Sequence, residues 1–425
     1  MGRAKAAHLK GQAMESVYIV GVGMTPFGRH PDLSIKQLSA QATQAALKDA
    51  EVEASALEAA FFGNATQGHM EGQHMIRGEI ALRPMGIQGI PVVNVENACA
   101  TASTAFILAV NHLKAGEGDV ALALGAEKMV SSDKNLMFSA FDSAWDVADV
   151  ERNKERLAQL GRGVAAPPGS TSERPYSIFM DVYAGLARQH MERFGTTQRQ
   201  IAAVSAKNHN HSQHNPLSQF QRPFTIEEVL AAPPITYPFT LPMCSPISDG
   251  AAAAIVATEA GLKRLGMNRA RAIEVRAAVM QTGSDRSPDA IEEHCTVLAA
   301  QRAYERAGVD PADVSVAEVH DATAVGEIIQ IENLGFCAYG EGGAMAERGE
   351  TAIGGRIPVN PSGGLQSKGH PIGATGLGQI YELVTQLRGE AGARQVENPR
   401  IAVAENGGGS FVVEEAVATI AILGR

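Results

Sequence analysis

Apolar and polar positions along this chain switch repeatedly between a strand-like and a helix-like period. "SVYIVGVGMTPFG" opens as a buried strand from Val17 to Val22 and breaks at glycine and proline. "SIKQLSAQATQAALKDA" then carries helical spacing, "LEAAFFGNA" reads as a strand, and "DVALALGAE" is a strongly apolar strand. Alternation of this kind predicts an α/β fold. Gly21, Gly23 and Gly28 lack the G-x-G-x-x-G spacing and no clean helix follows them, so no dinucleotide loop is assigned.

The pattern also repeats within the chain. "ALKDAEVEASALEAAFFGNAT" (Ala46–Thr66) lies over "AYERAGVDPADVSVAEVHDAT" (Ala303–Thr323) without a gap. "ATASTAFILAVNHLKAG" (Ala100–Gly116) overlays "ATGLGQIYELVTQLRGE" (Ala374–Glu390), and a strand follows each. Two matches in the same order point to duplication. The expected division is an N-terminal half over 14–130 and 244–272 and a C-terminal half over 273–425. Residues 131–243 between them are polar and irregular, apart from the helix-like "YSIFMDVYAGLARQHMERFG", and are expected to form an inserted loop or lid domain. Residues 1–13 are expected to be a disordered extension.

Bulk properties narrow the function. A chain of 425 residues, 45% hydrophobic and 19% charged, suits a soluble globular protein with more than one core. A net charge of −10 argues against nucleic acid or an anionic membrane as a main partner. No apolar stretch reads as a bilayer span or a signal-peptide core. The four cysteines, Cys99, Cys244, Cys295 and Cys337, form no CxxC or disulfide pattern, which suggests a reducing cytoplasm.

Chemistry concentrates around Cys99, in "NVENACATASTAFILAV". A thiol just before a helix meets unpaired N–H groups and the positive end of the helix dipole, both favouring thiolate, although an inert core cysteine fits the same position. "SKGHPIGATG" sets His370 before the matching helix of the second half, within reach of Cys99 as a base if the halves pack about a pseudo-twofold axis. His320, in "AEVHDAT", ends an apolar strand and is a candidate oxyanion donor, and "ENGGGS" supplies flexible N–H groups. Cys244, Cys295 and Cys337 read as core thiols, and His209, His211 and His214 as a polar loop of the insertion without a metal. His69 and His74 either line a pocket or pack. Lys207, Lys368 and Arg77 are either phosphate contacts or solvated cations.

"NACATAS", "GHPIGATG" and the two-half layout resemble the thiolase superfamily. "KNHNHSQHNPLSQFQ", "CSPISDGAAAAI", "NLGFCAYGEGG" and "NPSGGLQSKGHPIGATG" resemble its sterol carrier protein X branch, and the likeness runs from Val17 to the C-terminus. The resemblance implies a five-layered αβαβα fold, a homodimer or dimer of dimers, coenzyme A thioesters as substrates, and no permanently bound cofactor or metal. It implies Cys99 as nucleophile, His370 as its activating base and His320 as a donor to the thioester oxygen of the second substrate. It further implies the N–H groups of Cys99 and Gly407 as oxyanion donors and Ser245 as a contact to the pantetheine arm. One departure stands out. The second acid/base cysteine of the family is absent from both of its usual places, where this chain has Ala322 and Glu405. Glu405 is a possible acid/base if burial raises its pKa.

The expected activity is therefore thiolytic cleavage or Claisen condensation of a 3-oxoacyl-CoA through acylated Cys99. Two alternatives accompany it: an acyltransferase or retro-Claisen enzyme with a non-CoA acceptor, working beside a small zinc-ribbon/OB-fold subunit, and a non-catalytic subunit that binds CoA thioesters.

Overall fold

The computed structural model describes residues 15–425; the extension expected over 1–13 lies outside the described residues. Strand β1 (Val17–Met24) is followed by helix α1 (Ile35–Ala50), β2 (Ala59–Gly63), β3 (Val92–Val95), α2 (Thr101–Lys114), β4 (Val120–Glu127) and, after the insertion, β5 (Gly250–Thr258). The second half runs β6 (Ile273–Thr282), α5 (Cys295–Ala307), β7 (Val316–Glu318), α6 (Ala324–Asn333), α7 (Thr375–Arg388), β8 (Ile401–Gly408) and β9 (Val417–Gly424). Helices α3 (Ile178–Phe194) and α4 (Gln198–Ser212) belong to the insertion.

The strands form a sheet ordered β3-β2-β4-β5-β1-β6-β9-β8-β7. Read outward from the β1/β6 seam, one half runs β1-β5-β4-β2-β3 and the other β6-β9-β8-β7. The second is the first with its outermost strand missing. The repeated segments occupy equivalent places: α2 and α7 are both 14 residues long, and β4 and β8 both have eight.

Side-chain alternation builds the layers. Ala121 and Ala123 of β4 face a central core with Ala105, Phe106 and Val110 of α2 and Leu377 and Ile380 of α7. Val120, Leu122 and Leu124 face the other way, onto Leu38 and Ala42 of α1. In the second half Val403 and Ile422 face outward onto Ala299, Ala300 and Ala303 of α5. The sequence of layers is helix, sheet, paired helices, sheet, helix. A bulge in β1 between Ile19 and Gly21 shifts the phase, so that Val17 and Ile19, then Val22 and Met24, all reach the central core.

The central helices approach closely where side chains are smallest. A Cβ on Gly376 at the start of α7 would lie 2.7 Å from the Cβ and the N of Ser103 in α2. This contact sets the two helix N-termini side by side.

The insertion departs from the loop expected over 131–243. Thr197 and Gln200 form a capping box that starts α4, and the helix buries Ile201 and Val204 against Ala324, Val325 and Ile328 of the second half. His209 and His211 are buried in this helix, not placed on a polar loop. His211 Nδ1 meets the carbonyl of Asn360 at 2.9 Å while its Nε2 accepts from the N–H of Ile353 at 3.1 Å, which uses both nitrogens in packing. Among the described residues, no helix is long and apolar enough to cross a membrane.

Candidate active site

Cys99 sits in a single 3-10 turn, Ala98–Ala100, that leads directly into α2. Ala98 has φ +47, a left-handed conformation uncommon for a residue with a Cβ. Side chains hold that turn: Glu96 Oε1 accepts from Ala98 N at 2.6 Å, and Thr101 Oγ1 accepts from Asn97 N at 2.8 Å. The backbone N–H groups of Cys99 and Gly409 lie close to the sulfur and favour its anionic form.

The second central helix brings the histidine. Gly369 has φ +113, and a Cβ there would lie 2.9 Å from Ser248 Oγ and 3.0 Å from Phe27 Cβ; the following residue, His370, is anchored by its N–H donating to Ser248 Oγ at 2.9 Å. Thr375 Oγ1 donates to Pro371 O at 3.0 Å and stands 2.7 Å from His370 Nδ1. With its own proton spent on Pro371, the hydroxyl accepts from Nδ1–H, which leaves Nε2 of a neutral ring as a base. Glu127, at the end of β4, joins the halves: its carboxylate accepts from the N–H groups of Ala65, Thr66 and Gly373 at 2.9, 3.1 and 3.0 Å.

His320 completes the cluster. Its ring lies 5.3 Å from that of His370 in an edge-on arrangement, and ligand atoms of Cys99, His320 and His370 all lie within 4.8 Å of one another. Neither ring nitrogen of buried His320 has a hydrogen-bond partner among the described residues. A buried orphan of this kind is costly, and a polar ligand atom in the cavity would satisfy it.

These groups open onto a cavity of about 510 Å³ whose lining includes Cys99, Ser245, His320, Ala322, His370 and Gly409. Its outer wall comes from the insertion and is apolar and aromatic, with Met137, Phe138, Phe141, Phe179 and Tyr183. Such a wall suits an acyl chain and excludes water.

Several expectations change here. Gly407 lies inside the β8–β9 ladder opposite Ala418 and does not line the cavity; Gly409, two residues on where the ladder has ended, presents its N–H to the sulfur instead. Glu405 is also absent from the lining. Its Oε2 accepts from His320 N at 2.8 Å, so the carboxyl supports the His320 loop from behind, and burial beside Glu415 holds it protonated well above the usual range. Lys207 and Lys368 pair with buried Glu327 and Glu318, so neither is a free cation for phosphates, and Arg77 donates to Asn64 O and Oδ1. His69 and His74 do not line the cavity. Gly409, Thr375, Ser248 and Cys244 were not assigned to the site from sequence, although Cys244 and Ser248 fall within the motif that carries Ser245.

Burial pushes the Cys99 thiol up to about 12, reinforced by the carboxylates of Glu127 and Glu96, against the two N–H groups that favour thiolate. Burial lowers His320 to about 4, and burial with neighbouring His320 and Lys368 lowers His370 well below its ordinary value. The resting pair is thus thiol and neutral imidazole. Thiolate is the deprotonated form, so its fraction grows with pH below a high pKa. Alkylation of Cys99 by iodoacetamide is expected to rise about tenfold per pH unit from pH 7 to 9, without an inflection near 6.5. A plateau across neutral pH, measured by peptide mass spectrometry, would instead show a preformed thiolate–imidazolium pair.

Comparisons with known proteins place the chain in a family. Residues 17–229 match the family described as Thiolase, N-terminal domain, and residues 277–425 match Thiolase C-terminal domain-like. The chain is 38% identical over 419 residues to Sterol carrier protein 2 of Homo sapiens, covering 94% of this chain and 71% of that one. It is 38% identical over 403 residues to Acetyl-CoA acetyltransferase of Methanothermobacter thermautotrophicus, covering 93% and 97%. Among solved structures it resembles the Ltp2-ChsH2(DUF35) aldolase, with a TM-score of 0.75 at 23% identity over 97% of this chain and 98% of that one. With both halves matched, the chain belongs to the thiolase family of acyltransferase enzymes.

Proposed function

We propose that this protein takes an acyl group from a CoA thioester onto Cys99 and then performs thiolase-type cleavage or condensation of a 3-oxoacyl-CoA. The convergence of Cys99, His320 and His370 on one cavity carries the reading. As the thioester enters, the Cys99 proton passes to His370 Nε2 and the sulfur attacks the carbonyl carbon. The developing oxyanion is received by the N–H groups of Cys99 and Gly409, which lie beside the sulfur. Collapse expels the CoA thiolate, which recovers the proton from His370. The free ring N–H of His320 donates to the thioester oxygen of the second substrate, and Ser245 contacts the pantetheine arm. Residues 131–243 act as the lid that selects the acyl group.

Self-association fits the surface. β3 is an edge strand with Val93 40% exposed, and nearby Met75 and Ile76 are 77% and 57% exposed. A second copy pairing on this edge, as a homodimer or as half of a dimer of dimers, would cover all three. Four free cysteines suit a reducing cytoplasm.

Intact-protein mass spectrometry after exposure to a panel of acyl-CoAs tests the reading. The wild type should gain one acyl mass and Cys99→Ala none; absence of adduct and turnover at every chain length rejects it. A second reading is favoured by Ala322, a methyl group in the cavity wall where no proton can be exchanged. In it the acyl group passes to a non-CoA acceptor with a small zinc-ribbon/OB-fold subunit, and the solved Ltp2-ChsH2(DUF35) aldolase carries a DUF35 component in its name. Co-purification of such a subunit, with activity only in the complex, would favour that reading.

A further inference from the structure

The chain from Cys244 to Ser248 threads between the two histidine-bearing loops. At one end Cys244 bridges antiparallel to Thr323, and Ser245 N donates to Ala322 O at 2.9 Å. At the other, Ile247 bridges to His370, whose N–H meets Ser248 Oγ. Cys244 lines the same cavity as Cys99, His320 and Ala322, and its side chain packs against the apolar cluster that contains Ala322. Its sulfur has only a weak contact, 3.8 Å to Thr240 O. Buried His320, with both ring nitrogens unpartnered, faces this cavity too.

We propose that Cys244 is the second catalytic thiol of this enzyme, serving from the neighbouring chain segment the cavity wall where Ala322 stands. The proposal rests on the thiolase-type reading above. In cleavage, thiolate Cys99 attacks the 3-oxo carbon, the C2–C3 bond breaks, and its electron pair goes to C2 of the departing CoA thioester. Cys244 gives its S–H proton to that carbon. Incoming CoA–SH then gives its own proton to the Cys244 thiolate, attacks the acyl–Cys99 thioester and restores both sulfurs. In condensation the same thiolate removes the α-proton.

Other groups on the cavity wall fit this task less well. Burial pushes the Tyr183 phenol well above its ordinary value, and Glu96 already caps the N–H of Ala98. Thr323 Oγ1 is buried without lining the cavity. The Cys244 thiol is raised to about 12 by burial, which keeps its proton on sulfur until a stronger base, the carbanion, appears.

The test uses acetyl-CoA in D2O with two readouts, acetylation of Cys99 and deuterium uptake at the acetyl methyl. Cys244→Ser and Cys244→Ala are expected to lower deuterium uptake by about 100-fold or more, while acetylation slows by no more than about tenfold. The double variant Cys244→Ala/Ala322→Cys, which returns a thiol to the adjacent wall, should recover much of the exchange. Exchange that persists in both single variants overturns the proposal. So does loss of exchange and acetylation in equal measure, or a wild type that acetylates without exchange. A wild type that does not acetylate at all, with this or any longer acyl-CoA, instead removes the reading on which the proposal rests.

Discussion

Replacing His370 with alanine should slow acylation of Cys99 by about 10²–10⁴-fold, the range for loss of a positioned general base. The size of the effect follows from the burial of the sulfur. A thiol held near 12 presents only about one thiolate in 10⁵ at neutral pH, so the reaction depends on a base that removes the proton as the substrate arrives. His370 is set for this by Thr375, which accepts from Nδ1–H and turns Nε2 toward the cluster. Thr375→Val should therefore produce a smaller loss of the same kind, because the ring remains but its tautomer is no longer held. Rapid-quench mass spectrometry of the acyl adduct measures both. A loss below about threefold in a folded His370→Ala protein would leave the imidazole without a catalytic role.

Lys368→Ala should destabilise the protein by about 3–5 kcal/mol, the usual cost of stranding one member of a buried ion pair. Lys368 and Glu318 meet at 2.9 Å with side chains 1% and 0% exposed, and Glu318 also accepts from Ser362 Oγ at 2.7 Å. Without the ammonium group, Glu318 must keep its charge with only hydroxyl and amide donors, or take up a proton. Lys368→Met combined with Glu318→Leu should recover much of the loss, since removing both charges leaves none uncompensated. Urea unfolding at pH 7 distinguishes these outcomes. An effect under about 1 kcal/mol for Lys368→Ala would mean that water reaches the pair. The position adjoins Gly369 and His370, so partial loosening should appear first as loss of acylation.

Much of the architecture was legible in linear order. Helical spacing and apolar strands are local properties, and the two overlays, Ala46–Thr66 on Ala303–Thr323 and Ala100–Gly116 on Ala374–Glu390, mark segments that recur at equivalent positions of the mirrored half-sheets. The insertion was harder to read. The 198–212 helix carries the polar run "KNHNH", and its histidines look solvated until the second half packs against them. Lys368 and Lys207 misled in the same way. A cation is normally solvated, and only the fold brings Glu318 and Glu327 to it from a different part of the chain.

The meeting of Cys99 with His320 and His370, and the paired halves, could be inferred from residue order, because each rests on a short motif with its own local geometry. Which glycine faces the sulfur could not, since Gly407 and Gly409 differ only in where the β8–β9 ladder stops. Nor could the neighbour of Ala322, because Cys244 is distant in sequence and meets it only across a bridge between chain segments. Local propensity is encoded residue by residue. Which groups come to share one cavity is decided when the sheets and central helices bury their apolar faces together.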